Sequence, residues 1–459
     1  MNKQQAVIKP STMEALLLTV IILGGVSFSI IKYEAVPHIP IFFAIFLLLI
    51  YGMLKKVSIQ ALEKGMIDGA KSGLGAIMLF FLIGMLISSW MASGTIPTFI
   101  YLALEFVNGN FFYAIVFVVT AIVGLSIGSS LTTAATIGVA FIGVSSALEL
   151  SLPITAGAII SGAFFGDKMS PLSDTTNLAS MVVKVDLFEH IKNMMWTTIP
   201  AFIVALILFA VMSPKEASAS FTQLSSFKGT LNSLNLVHWY SLIPFVLLFI
   251  LAFKKISAIV TLSFGILSSL ILAFFVQQEF SFQMMMKLLF SGYEINSGVA
   301  VIDSLLNRGG MESMMFSMSL VILALGLGGL LFTLGIIPAL LDAISQFLYK
   351  VPYLFLATVS TAIGINFLVG EQYLSILLTG NTFKPSFEKA GLRMKNLSRV
   401  LEDAGTVINP LVPWGVSGIF LTGVLGVETF DYLPYTFFCL LCPIITLIYG
   451  FSGFAITKK

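Results

Sequence analysis

The sequence predicts an all-α polytopic membrane protein: inverted repeats, about ten transmembrane helices, two of them unwound mid-membrane, and two re-entrant hairpins. Three observations carry this. Of the 459 residues, 58% are hydrophobic and only 10% are charged, and apolar runs near bilayer-spanning length recur along the chain. Polar, glycine- and proline-bearing breaks interrupt four of the apolar segments. Matching sequence features also recur in the second half at a nearly constant offset.

Apolar spans fall near 13–31, 39–54, 73–93, 190–212, 236–253, 256–276, 313–332 and 434–455. The first follows Lys3 and Lys9 but lacks an A-x-A exit, so it is read as a retained helix rather than a cleaved signal. Segments 112–146 and 351–380 are too long for one straight crossing and are interrupted at Gly124–Ser130 and Gly364–Gln372. Both are read as hairpins whose arms enter and leave on one side. Segments 153–185 and 399–427 are read as full crossings that unwind at Ser170-Pro171-Leu172 and Asn409-Pro410-Leu411, where proline removes a backbone donor and frees carbonyls.

Gly94-Thr95-Ile96-Pro97 recurs 241 residues on as Gly335-Ile336-Ile337-Pro338, Gly128 matches Gly370 at 242, and Pro171 matches Pro410 at 239. The expected division is residues 1–235 and 236–459, each half holding one hairpin and one broken crossing. With the N-terminus inside, the loops carrying Lys55, Lys56, Lys64 and Lys71, then Lys184 and Lys192, then Lys254 and Lys255 all lie in the cytoplasm, as does the C-terminal Lys458–Lys459. The basic stretch Lys384–Arg399 joins them only if 351–380 is a hairpin, which makes the two repeats inverted. Lys287 and Arg308 remain in a long external loop, 277–312. A plain bundle of twelve straight helices is the competing topology.

A formal net charge of +2 gives no reason to invoke nucleic acid. Cys439 and Cys442 lie in an apolar run without a second ligand pair and read as small core residues. His38, His190 and His238 fall near span ends and read as wet interfacial residues. No H-e-x-x-H or G-x-S-x-G constellation lies in the spans, so no catalytic residue is assigned and the chain is not read as an enzyme. A channel would need a continuous hydrophilic lining, whereas the polar residues here cluster at two breaks.

Ionisable side chains at membrane depth cost several kcal/mol unless paired or bound to a cation, so they mark candidate sites. Residues 166–180, GDKMSPLSDTTNLAS, supply Asp167, Lys168 and Asp174 together with Ser170, Thr175, Thr176 and Asn177. The first hairpin tip adds Ser129, Ser130 and Thr133; small hydroxyl residues in membrane helices also serve packing. The second half offers Glu371 in an apolar context and Asn409 at its break. Glu402 and Asp403 follow Arg399 closely enough to answer the basic loop instead. Asp174 is the leading carboxylate for an exchangeable proton and cation, with Glu371 and Asp167 behind it. The expected alkali-cation position is Asp174, Thr175 and Asn177, with the other hydroxyls and Asn409 as neutral ligands and Lys168 and Arg308 as charge partners. A static Asp167–Lys168 ion pair is the bland alternative.

The GDKMSPLSDTTNLAS string, Gly370-Glu-Gln-Tyr-Leu-Ser-Ile376, Phe383-Lys-Pro385 with Lys395-Asn-Leu-Ser-Arg399, and Leu401-Glu-Asp-Ala-Gly-Thr-Val407 with Pro410-Leu-Val-Pro-Trp414 resemble the NhaC-type Na⁺/H⁺ antiporter family. The resemblance runs through both halves and implies membership of the ion transporter superfamily: inverted repeats, two hairpins, two unwound helices and often a homodimer with elevator-type motion. It also implies a multi-pass protein of the bacterial cell membrane, with both termini cytoplasmic. The implied activity is Na⁺ extrusion in exchange for H⁺, without a cofactor. The chain departs from the family pattern at Glu371, Asn409 and Gly415–Val416, which would line the second half-site. Some family members resemble exchangers of malate, lactate or amino acids, so a small organic solute is the alternative cargo.

Overall fold

The computed structural model describes residues 6–106, 111–214, 228–254, 256–277, 280–299, 302–303, 306–345 and 350–458. Its regular structure is helical; among the described residues β pairing is confined to one bridge, Leu392 with Lys458. Among the described residues seven helices are long and apolar enough to cross a membrane, and up to nine if two bent pairs each count as one span. The long apolar spans match expectation closely, for example Leu74–Ala92, Leu187–Met212, Ala258–Val276 and Met315–Thr333.

One order of elements occurs twice. Leu74–Ala92 and Thr95–Phe106 are followed by the hairpin arms Phe112–Ile127 and Ser130–Ala147, then by the half-helices Leu152–Met169 and Asp174–Val182. Met315–Thr333 and Ile336–Ser345 are likewise followed by Val351–Val369 and Gln372–Lys389, then by Met394–Leu411 and Val416–Leu425. Glycine marks the equivalent turns, because each needs a left-handed backbone: Gly94 and Gly335 at φ +76° and +69°, Gly128 and Gly370 at +72° and +73°. Each repeat also lends helices to the other. His38–Leu54 and Ile59–Lys71 pack on Met315–Thr333, while Ala258–Val276 and Phe282–Ser291 pack on Leu74–Ala92.

Two boundaries differ from expectation. The returning arm of the second hairpin runs to Lys389, not 380, because nothing breaks the helix until Ala390 and Gly391. Pro410 lies in a 3-10 turn, Asn409–Leu411, that still belongs to the first half-helix; the chain leaves helix only at 412–415 and bends there by 46°. The constant offset of 242 residues that relates hairpin tips and half-helices therefore matches Pro171 with Pro413, and Asp167 with Asn409.

The first half-helix, Leu152–Met169, crosses Phe112–Ile127 at very short range through small residues. A Cβ on Gly166 would fall on the backbone of Gly124 and Leu125. Gly166→Val is expected to destabilise the protein by about 3 kcal/mol or more, since neither backbone can yield. A lowered melting temperature and loss of a monodisperse peak in detergent would show it; wild-type behaviour would contradict this packing.

Candidate functional site

The first half-site forms where a helix ends against a hairpin tip. Ser129 is extended, and its hydroxyl accepts from the backbone N–H of Thr132 at 3.3 Å, capping the returning arm. Ser130 follows, and both its N–H and its hydroxyl donate to Asp167 Oδ2, at 3.2 and 2.7 Å. Asp167 is buried at the end of Leu152–Met169, so this carboxylate ties the broken helix to the tip. The second repeat makes the equivalent tie without a charge. Asn409 Nδ2 donates to Asn366 Oδ1 at 2.9 Å and to the Gly370 carbonyl at 3.2 Å, while Asn409 Oδ1 accepts from Ser417 N–H at 2.8 Å.

The second half-site is built on a π-helical segment, Leu401–Thr406. A widened turn rotates successive side chains relative to an ordinary helix, and such turns recur at functional positions. Here it brings Glu402 and Asp403 fully into the interior. Asp403 forms an ion pair with Lys168 of the other broken helix and accepts a hydrogen bond from Thr446 at 2.5 Å. Lys168 also lies 3.7 Å from Cys442 Sγ and 5.7 Å from the centre of the Phe438 ring. Among the described residues neither carboxylate oxygen of Glu402 has a partner in hydrogen-bond geometry, and the Thr406 hydroxyl lies beside it.

These groups converge. Tyr373, just past the second hairpin tip, lies within electrostatic reach of Asp174, Glu371, Asp167 and Glu402 together. Glu402 in turn lies within reach of Asp167, Lys168 and Asp403. Arg399 is also buried; it donates to the Ala455 carbonyl at 3.1 Å, stacks over Tyr449 and lies within reach of Asp403. At the crossing of the two broken helices, the buried carboxylates Asp167, Glu402 and Asp403 therefore share one cluster with the buried bases Lys168 and Arg399. Among the described residues no trio of His, Cys, Asp or Glu is placed to hold a metal ion.

Several sequence expectations are corrected. Asp174 is not buried: Ser173 caps the second half-helix, and Asp174 follows at its first position with its side chain exposed. The acidic partner of Lys168 is Asp403, 235 residues away, and not Asp167, which accepts from Ser130 instead. Glu402 and Asp403 are not exposed companions of the basic loop but the core of the cluster. His190 is fully buried against Ser398 at 2.8 Å, whereas a wet interfacial position was expected.

The remaining candidates hold local structure. Glu371 caps the arm Gln372–Lys389 by accepting from Leu374 N–H at 2.8 Å. Thr133 donates to the Ser129 carbonyl, Thr176 to the Lys168 carbonyl, and Asn177 to the carbonyls of Pro171 and Ser173. Ser170 accepts from Leu172 N–H, and Thr175 shares a hydrogen bond with Ser173. Arg308 lies against Gly426 at the C-terminal end of Val416–Leu425, away from these carboxylates.

Two broken helices and two hairpin tips meeting at a buried, acid-rich centre define a polytopic membrane transporter. Residues 162–454 match the model of the Na⁺/H⁺ antiporter family. The chain is 40% identical to the Na⁺/H⁺ antiporter NhaC of Alkalihalophilus pseudofirmus, over 97% of this chain and 96% of that one. It is 43% identical to NhaC of Bacillus subtilis over 90% and 92% of the two chains, and 32% identical to the malate-2H⁺/Na⁺-lactate antiporter of the same organism over 95% and 94%. The chain belongs to the Na⁺/H⁺ antiporter family.

Proposed function

We propose that this protein exchanges Na⁺ for H⁺ across the cell membrane, expelling Na⁺ as protons enter. The observation that carries the reading is the excess of buried carboxylate at the helix crossing. Lys168 is neutralised by Asp403, and among the described residues the Glu402 carboxylate has neither an ion-pair partner nor a partner in hydrogen-bond geometry. Such a group is costly in an apolar interior unless a cation accompanies it, and a proton or a sodium ion serves equally well for charge. A site that holds either ion but not both couples the two gradients. Asp167 is the second group of the exchange, because occupancy by a cation competes with its tie to the first hairpin tip.

Two inverted repeats, residues 1–235 and 236–459, fit this role by exposing one central site to either side in turn. Basic residues at the predicted inner loops favour cytoplasmic N- and C-termini. A homodimer in the lipid bilayer belongs to the same proposal.

Purified protein in liposomes carrying an imposed pH gradient tests the cargo. Proton movement is expected on adding Na⁺, and none on adding malate, lactate or an amino acid without Na⁺. Movement driven by an organic solute alone would replace this reading with solute exchange, which the relative named for malate and lactate keeps as the specific alternative.

A further inference from the structure

We infer that the seam between the returning arm Gln372–Lys389 and the π-helical segment Leu401–Thr406 is a binding site for one dehydrated monovalent cation, held by the Glu402 carboxylate with the hydroxyls of Thr379 and Thr406. The inference rests on the transport reading above and assigns the ion a place within it.

Two close approaches fix the register of the seam. A Cβ on Gly405 would meet Ile376 Cγ1 at 3.2 Å and Ser375 Oγ at 3.5 Å, and a Cβ on Gly380 would meet Leu401 Cδ1 at 3.0 Å. The segments thus run antiparallel, with Ile376 opposite Gly405 and Gly380 opposite Leu401. Thr379 is then level with Glu402, and Thr406 lies one turn along on the Glu402 side of its helix.

Glu402, Thr379 and Thr406 are each fully buried, the Thr406 hydroxyl lies beside the Glu402 carboxyl, and among the described residues Glu402 Oε1, Glu402 Oε2, Thr379 Oγ1 and Thr406 Oγ1 have no partner in hydrogen-bond geometry. Orphaned buried polar atoms are rare, because each costs about 1–3 kcal/mol. Four at one seam, contributed by two elements packed through glycine, call for a shared ligand. An ionised carboxylate only accepts and brings a negative charge into an apolar interior, so a cation answers both needs at once, and hard oxygen donors with a single carboxylate suit an alkali ion rather than a divalent metal. Lys168 is already engaged, because its ammonium pairs with Asp403 and lies 3.7 Å from Cys442 Sγ.

The test is thermal stabilisation of the detergent-purified full chain by NaCl replacing choline chloride at constant ionic strength. Thr379→Val and Thr406→Val are each expected to raise the half-maximal Na⁺ concentration about tenfold, ~1.4 kcal/mol of binding. Thr379→Ser and Thr406→Ser, which restore the hydroxyl, are expected to stay near wild type and so separate ligation from misfolding. If wild type responds to Na⁺ and both valine variants respond equally well, this site is wrong while the transport reading stands. If wild type gains no stability from Na⁺, both fall. Equal responses to Na⁺ and choline would likewise overturn the site.

Discussion

Lys168→Met is expected to lower the melting temperature more than any other single substitution in the cluster. Lys168 and Asp403 are both fully buried, and removing the ammonium strands the carboxylate in the interior. Breaking one side of such a pair costs about 3–5 kcal/mol. The double variant Lys168→Met, Asp403→Leu removes both charges, so it is expected to recover most of that loss. A calorimetric or light-scattering melt in detergent reads both. A Lys168→Met protein as stable as wild type would show that the ion pair is not the cornerstone of this interface.

Glu402→Gln is expected to abolish Na⁺-driven proton movement in liposomes while leaving expression and melting temperature near wild type. The amide keeps the side chain's shape, and its oxygen can still accept from the neighbouring Thr406 hydroxyl, so little hydrogen bonding is lost. Asp174→Asn is expected to be milder, since Asp174 is exposed at the head of its half-helix and not buried in the cluster. Full exchange by the Glu402→Gln protein, or an Asp174→Asn protein that alone is inactive, would return the coupling role to Asp174.

Much of the architecture was legible because it is written in local signals. Glycines at 94, 128, 335 and 370 mark turns that only a left-handed backbone makes, and Ser170-Pro171 marks the first helix break. The second break was read three residues early, since Pro410 is tolerated in a 3-10 turn and the chain unwinds only around Pro413. The site was less legible for a physical reason. Glu402 and Asp403 stand three and four residues after Arg399, the spacing of a surface ion pair on an ordinary helix. The π turn at 401–406 redirects them inward, and nothing in residue spacing signals it. Nor does sequence show that Lys168 meets Asp403 from the other repeat. Asp174 looked like the strongest carboxylate because it sits in the polar break, yet a break exposes backbone and side chains to water as readily as it buries them. Two equivalent positions, Asp167 and Asn409, become recognisable only once the half-helices are aligned. The same tie between helix and hairpin tip is then seen to be ionisable in one repeat and neutral in the other.

The most direct measurement is the apparent Na⁺ constant of wild-type protein in liposomes as a function of pH, at zero membrane potential. If one buried carboxylate group takes either ion, the constant should rise by about tenfold per pH unit wherever that group is protonated, ~1.4 kcal/mol of linked free energy per unit. It should flatten once the group is deprotonated without Na⁺. An apparent constant unchanged between about pH 6 and pH 9, with exchange still active, would contradict competition at the buried carboxylates and with it the proposed coupling.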